Sequence, residues 1–243
     1  LSLSYTTFPL ACVFVAMLYF NNASLHHAGG AALYNWSRAA TVLLTVALGW
    51  MLDGDKPPTA ALAACGVIVF GFVVSTDDTS HLSFTGVAVG TIASACVALN
   101  AVLTRRTLEQ LDGDKFHMVQ GVLSNAIWLL APVVLVMGEV DTLVEHLDLF
   151  FTPMFWVMML TTAVFGLLMG IVTALLIQET SALTFVVTGT AKACIQTSLG
   201  IFMMANPSSD NHVVGLCFVL GGAAAYAVAR GRAMDAQPSF MEQ

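Results

Sequence analysis

The chain has 243 residues, 58% of them hydrophobic and 9% charged, with a net charge of −7. A soluble domain carries about 25% charged residues, so this chain has too little polar surface to cover a core of its size in water. An ordinary water-soluble domain is excluded, and lipid is the solvent for most of the chain.

A membrane helix needs roughly 20 mostly apolar residues. The sequence predicts eight, at about 5–25, 31–52, 58–76, 83–104, 118–138, 153–178, 181–205 and 212–231. Short polar breaks separate them: Asp53-Gly54-Asp55 before Pro57-Pro58, Asp112-Gly113-Asp114, and Asn206-Pro207-Ser208-Ser209. The expected fold class is all-α, a polytopic transmembrane helical bundle, since only helical hairpins satisfy their backbone in lipid here.

Eight spans put both ends on one side. Lys56, Arg105, Arg106, Lys115, Arg230 and Arg232 lie on that side, while the opposite loops hold Asp77, Asp78, Glu139, Asp141, Glu145, Asp148 and Asp210. This positive-inside bias predicts that both ends are cytosolic. A shift of 151 residues lays Tyr34 on Phe185 and Ala40 on Ala191. That weak echo fits an internal duplication of the kind that places transporter sites near the midplane.

The five cysteines, Cys12, Cys65, Cys96, Cys194 and Cys217, all fall in apolar runs and form no metal or disulfide pattern. No nucleophile, zinc or phosphate-loop signature is present, and no cofactor is called for. His26-His27 reads as a polar cap between the first two spans, and the Asn22-Ala23-Ser24 and Asn35-Trp36-Ser37 glycosylation patterns sit too close to the membrane to be used.

Ionisable residues inside a bilayer are costly and usually functional. Arg38 and Lys192 sit well inside apolar runs, and no acid does. Two cations without an internal carboxylate call for an external anion, and a phosphate-bearing ligand supplies one. The run Thr188-Gly189-Thr190-Ala191-Lys192 sets small residues one turn before the amine, which suits either close helix approach or a bulky ligand. Tyr34, Asn35, Asn100, Ser124, Asn125, Thr173, Gln196 and Thr197 are candidates for lining the same site, or for bonding helix to helix.

The stretch Gly189–Thr197 reads GTAKACIQT. With Phe20-Asn21-Asn22, Tyr34-Asn35 and Arg38, Ala93–Asn100, Asp112-Gly113, Pro132, Gly138-Glu139, Phe165-Gly166, Val172-Thr173 and Gly221-Gly222 in the same order, the chain closely resembles the GDP-fucose transporters. These form part of the nucleotide-sugar branch of the drug/metabolite transporter superfamily. The resemblance implies a ten-helix fold of two inverted five-helix repeats and exchange, in the Golgi membrane, of a nucleotide-sugar for its nucleoside monophosphate. The eight spans here would match the family's third to tenth. Residues 1–76 would then be the remainder of the first repeat, 77–231 the second repeat, and 232–243 a cytosolic tail. The start at Leu1 fits a sequence that lacks an N-terminal part.

In the related GDP-mannose transporters, the resemblance implies, a tyrosine, a glycine and a lysine on the ninth helix meet the ligand, the lysine lying one residue later than in the fucose group. They fall on Phe185, Gly189 and Lys192. A family FYNN motif falls on Gln120-Gly121-Val122-Leu123, with Asn125 matching a further family asparagine. The expected substrate-binding residues are Lys192, Gly189, Thr190, Arg38, Asn125, Tyr34 and Thr173. The expected partners are the nucleotide-sugar, the nucleoside monophosphate and the lipid bilayer, with a homodimer as a candidate assembly; nucleic acid is not among them. Alternatives are a sugar-phosphate translocator of the same superfamily, or a truncated, transport-inactive membrane protein.

Overall fold

In the computed structural model the residues described are 2–26, 31–54, 57–76, 84–136, 144, 147–204 and 210–235. They form eight long helices: α1 Ser2–His26, α2 Ala31–Leu48, α3 Thr59–Val74, α4 Phe84–Gln110, α5 Lys115–Val136, α6 Pro153–Glu179, α7 Ala182–Met204 and α8 Asp210–Asp235. A short helical turn, Leu147–Phe150, precedes α6. The all-α class and the eight predicted spans match these helices. His27, Asp55, Lys56, Asp77, Asp78, Gly138, Glu139, Asp141, Glu145 and Asn206–Ser209 lie outside the described residues.

Five helical stretches are long and apolar enough to cross a membrane: Ser4–Ser24, Phe84–Gln110, Lys115–Leu135, Pro153–Glu179 and Asn211–Ala233. Ser37–Leu52 and Thr59–Val74 are apolar but shorter. Only 11% of the α6 stretch is buried against protein, and Trp156, Met159, Leu160, Phe165 and Met169 are all exposed along it. Such length, apolarity and exposure suit a helix that crosses a membrane.

Several helix ends differ from the predicted ones for identifiable reasons. α2 passes into a π-helical turn, Gly49–Asp53, that stops at Gly54 in the left-handed region at φ 65°. α4 runs two turns past its apolar stretch as an amphiphilic extension, with Arg105 Nε 3.4 Å from Glu109 Oε1 four residues on. α5 starts early because Asp114 caps it: its Oδ1 accepts the His117 backbone N–H at 3.1 Å.

Asp114 lies outside the membrane spans, and the hydrogen bonds from His117, backbone first and then side chain, hold its carboxyl below the usual range. The cap's contribution is therefore fully present above the ordinary carboxylate pKa and is lost as pH falls through the lowered value. Asp114→Ala is expected to melt slightly below the parent at neutral pH, and melting curves taken at falling pH should show the gap closing.

The residues form two compact units, Leu1–Ala16 with Leu103–Ser181, and Met17–Val102 with Ala182–Gln243. In the first, Leu10, Ala11, Leu108, Met118, Val119, Val122 and Ala174 make the core. Thr7 on α1 lies so close to Gly121 on α5 that a Cβ there would stand 2.7 Å from its Oγ1. The turn after α4 carries positive φ at Asp112 and Gly113. Gln178 on α6 holds it: Lys115 Nζ donates to Gln178 Oε1 at 2.8 Å, and Gln178 Nε2 donates to the Gly113 carbonyl at 3.4 Å.

In the second unit, α3 and α8 meet backbone to backbone. A Cβ on Gly71 would stand 2.8 Å from the Gly215 carbonyl oxygen, one on Gly215 2.6 Å from the Gly71 carbonyl oxygen, and one on Gly222 2.8 Å from Ile68. Small residues that let helices touch this closely drive association where lipid supplies no hydrophobic contrast. Ala61, Ala64, Ile68, Phe72, Val219 and Tyr226 form the core between them. His212 Nδ1 lies 2.7 Å from Ser75 Oγ at one end of the pair, and Tyr226, 2% exposed, has its hydroxyl 3.1 Å from Thr184 Oγ1 on α7.

Candidate functional site

The buried side of α7 is read directly from its sequence period. Ala182, Leu183, Val186, Val187, Thr190, Ala193 and Cys194 are buried, at the three- and four-residue spacing of one helix face. Thr188, Lys192, Ile195, Gln196 and Leu199 lie on the exposed side. At about 100° per residue, Thr188, Lys192 and Gln196 stand one above another as a polar stripe. Gly189 lies about 60° from Lys192 on the same side, and a Cβ there would meet nothing within 4 Å.

Among the described residues none hydrogen-bonds to, or pairs with, the side chain of Thr188, Lys192 or Gln196. Lys192 is thus an exposed ammonium on a largely apolar helix, with no carboxylate paired to it among the described residues.

The other expected site residues are distributed differently. Thr190 is 1% exposed, about 160° around the helix from Lys192, and its hydroxyl donates to the Val186 carbonyl at 2.8 Å. Arg38 on α2 is half-buried. Thr173 is half-buried on α6. The side chains of Tyr34 and Asn35 lie outside the described residues.

Asn125 is 9% exposed and committed to α1. Ser4 Oγ donates to its Oδ1 at 2.8 Å, and its Nδ2 donates to the Ser4 carbonyl and Thr7 Oγ1, each at 3.0 Å. Asn125→Ala strands these groups and is expected to destabilise the fold by about 1–2 kcal/mol, measured as a lower Tm in detergent. The stretch Gln120–Leu123 has a packing reason for its composition: Gly121 abuts Thr7, so a larger side chain there would push α1 away from α5.

Thr188, from the run before Lys192, and Gln196, one of the candidates for lining its site, share the exposed face with it. Their signal is the four-residue spacing on either side of Lys192.

Residues 5–227 match the Triose-phosphate Transporter family. The chain is 34% identical to GDP-fucose transporter 1 of Monosiga brevicollis, over 91% of this chain and 67% of that one. It is 35% identical to the GDP-fucose transporter of Caenorhabditis elegans, over 98% and 66%, and 36% identical to GDP-fucose transporter 1 of Mus musculus, over 97% and 65%. The chain thus spans about two thirds of the length of these relatives. A crystal structure superposes at a TM-score of 0.64 with 15% identity, covering 95% of this chain and 88% of that one, a likeness of fold alone.

Proposed function

The chain belongs to the Triose-phosphate Transporter family, a family of transporters and not of enzymes, and from that premise we propose that it carries a nucleotide-sugar, a GDP-sugar such as GDP-fucose, across the Golgi membrane. The observation that carries this reading is Lys192, exposed on α7 and without a partner among the described residues. The diphosphate of the cargo supplies the charge that the amine lacks, and Gly189 leaves room beside it. Similarity to GDP-fucose transporters supports the choice of cargo.

Exchange follows from the same electrostatics. An empty carrier would have to reorient with an unpaired cation in an apolar wall, which is unfavourable; an anion-loaded one would not. The nucleoside monophosphate returning from the lumen keeps the site filled, so transport is antiport. Arg38 on α2 is the second cation for the anion, and the distribution of lysine and arginine supports a topology with both chain ends in the cytosol.

The test is uptake into proteoliposomes preloaded with GMP, against a panel of nucleotide-sugars and sugar phosphates. Saturable GDP-sugar uptake that depends on internal GMP is expected; uptake of sugar phosphates alone would point to the second reading. That reading, an organic-phosphate translocator, draws on Gln120–Leu123, where Gly121 is fixed by Thr7 and Val122 is buried, leaving no asparagine for a base.

A further inference from the structure

α7 divides its polar side chains into two groups. The hydroxyls of Thr190, Thr197 and Ser198 donate to the carbonyls of Val186, Ala193 and Cys194 on their own helix, at 2.8, 3.0 and 2.9 Å. They are satisfied and ask nothing of a ligand. Thr188, Lys192 and Gln196 are exposed in one stripe and have no partner among the described residues. Beyond Lys192, Ile195 and Leu199 on the same side are apolar and more than half exposed, so Gln196 is the one amide in that part of the stripe.

We propose that Gln196 is a specificity-determining residue that reads the hydroxyl-bearing ring adjoining the diphosphate of the cargo. This rests on Lys192 as the phosphate contact. A primary amide offers two donors and one acceptor, the complement of a pair of neighbouring ring hydroxyls, each of which also donates and accepts. Turned to lipid, those groups would be as costly as lost hydrogen bonds. Four residues of helix rise about 6 Å, enough to carry the contact from a phosphate to the ring attached to it. The amide has no charge, so it adds discrimination between cargoes and little general attraction for anions. The ring is either the transferred sugar or the ribose, and both present this chemistry.

The experiment is inhibition of labelled GDP-fucose uptake by unlabelled GDP-fucose, GDP and GMP, comparing the full chain with Gln196→Leu and with Gln196→Met, which keeps the length of the side chain. A rise of about 3- to 10-fold in the half-inhibiting concentration of GDP-fucose is expected, with the maximal rate changed much less. If GDP and GMP are unaffected, the sugar is the ring that is read; if all three weaken together, it is the ribose. Unchanged inhibition by all three in either folded variant overturns the assignment of Gln196 and leaves Lys192 standing. A parent chain that takes up no nucleotide-sugar overturns both.

Discussion

Lys192→Ala abolishes saturable GDP-sugar uptake while the chain still folds. The amine is exposed and makes no ion pair or hydrogen bond within the described residues, so its removal strands no buried partner. Helix formation favours alanine over lysine slightly, and the Tm in detergent should stay within a few degrees of the parent's. The effect falls on the cargo. Truncating one partner of a desolvated, hydrogen-bonded charge pair costs about 2–5 kcal/mol, a fall of roughly 30-fold to several-thousand-fold in affinity. Lys192→Arg keeps the charge but replaces a compact ammonium by a wider fork, and should retain part of the uptake. Radiolabelled uptake in proteoliposomes, with Tm measured on the same preparations, separates loss of cargo binding from loss of fold.

Gly215→Val should produce little folded protein. The added Cβ would stand 2.5 Å from Ser75 Cβ and 2.6 Å from the Gly71 carbonyl oxygen, and backbone cannot step aside as a flexible side chain can. Overpacking usually costs about 1–3 kcal/mol; here the whole α3–α8 contact must open, so roughly 3 kcal/mol or more is expected against a total stability of about 5–15 kcal/mol. Gly221→Ala is the control. It lies on the same helix with nothing within 4 Å of its Cβ position, and should be neutral or mildly stabilising. Size-exclusion profiles of the detergent-extracted variants distinguish the two.

The helices were legible because span length and apolar runs are dictated by the thickness of the bilayer, and the predicted stretches differ from the observed ones mainly at their ends. Those ends depend on side-chain detail, such as the cap from Asp114 and the Arg105–Glu109 pair, which an apolar run does not encode. The cation on α7 was also legible, since Lys192 interrupts an apolar segment. Its companions were less so. Thr190 and Lys192 are adjacent in the motif yet face nearly opposite ways, because two residues of helix turn the side chain by about 160°. Asn125 reads more readily as a bond between helices than as a ligand contact, and only its partners Ser4 and Thr7 show which helix it holds. The glycines of α3 and α8 gave no sign of their pairing, since contact across 144 positions of sequence, from Gly71 to Gly215, has no local signature.

The direct measurement is thiol accessibility at position 192. Lys192→Cys should react with a charged, membrane-impermeant maleimide faster than the background from the parent chain's own cysteines, and saturating GDP-fucose or GMP should slow that reaction. Phe165→Cys on the exposed, apolar face of α6 should stay unreactive if lipid covers that face. An introduced thiol at 192 as inert as the α6 control, or one labelled at the same rate with and without nucleotide, would contradict the account.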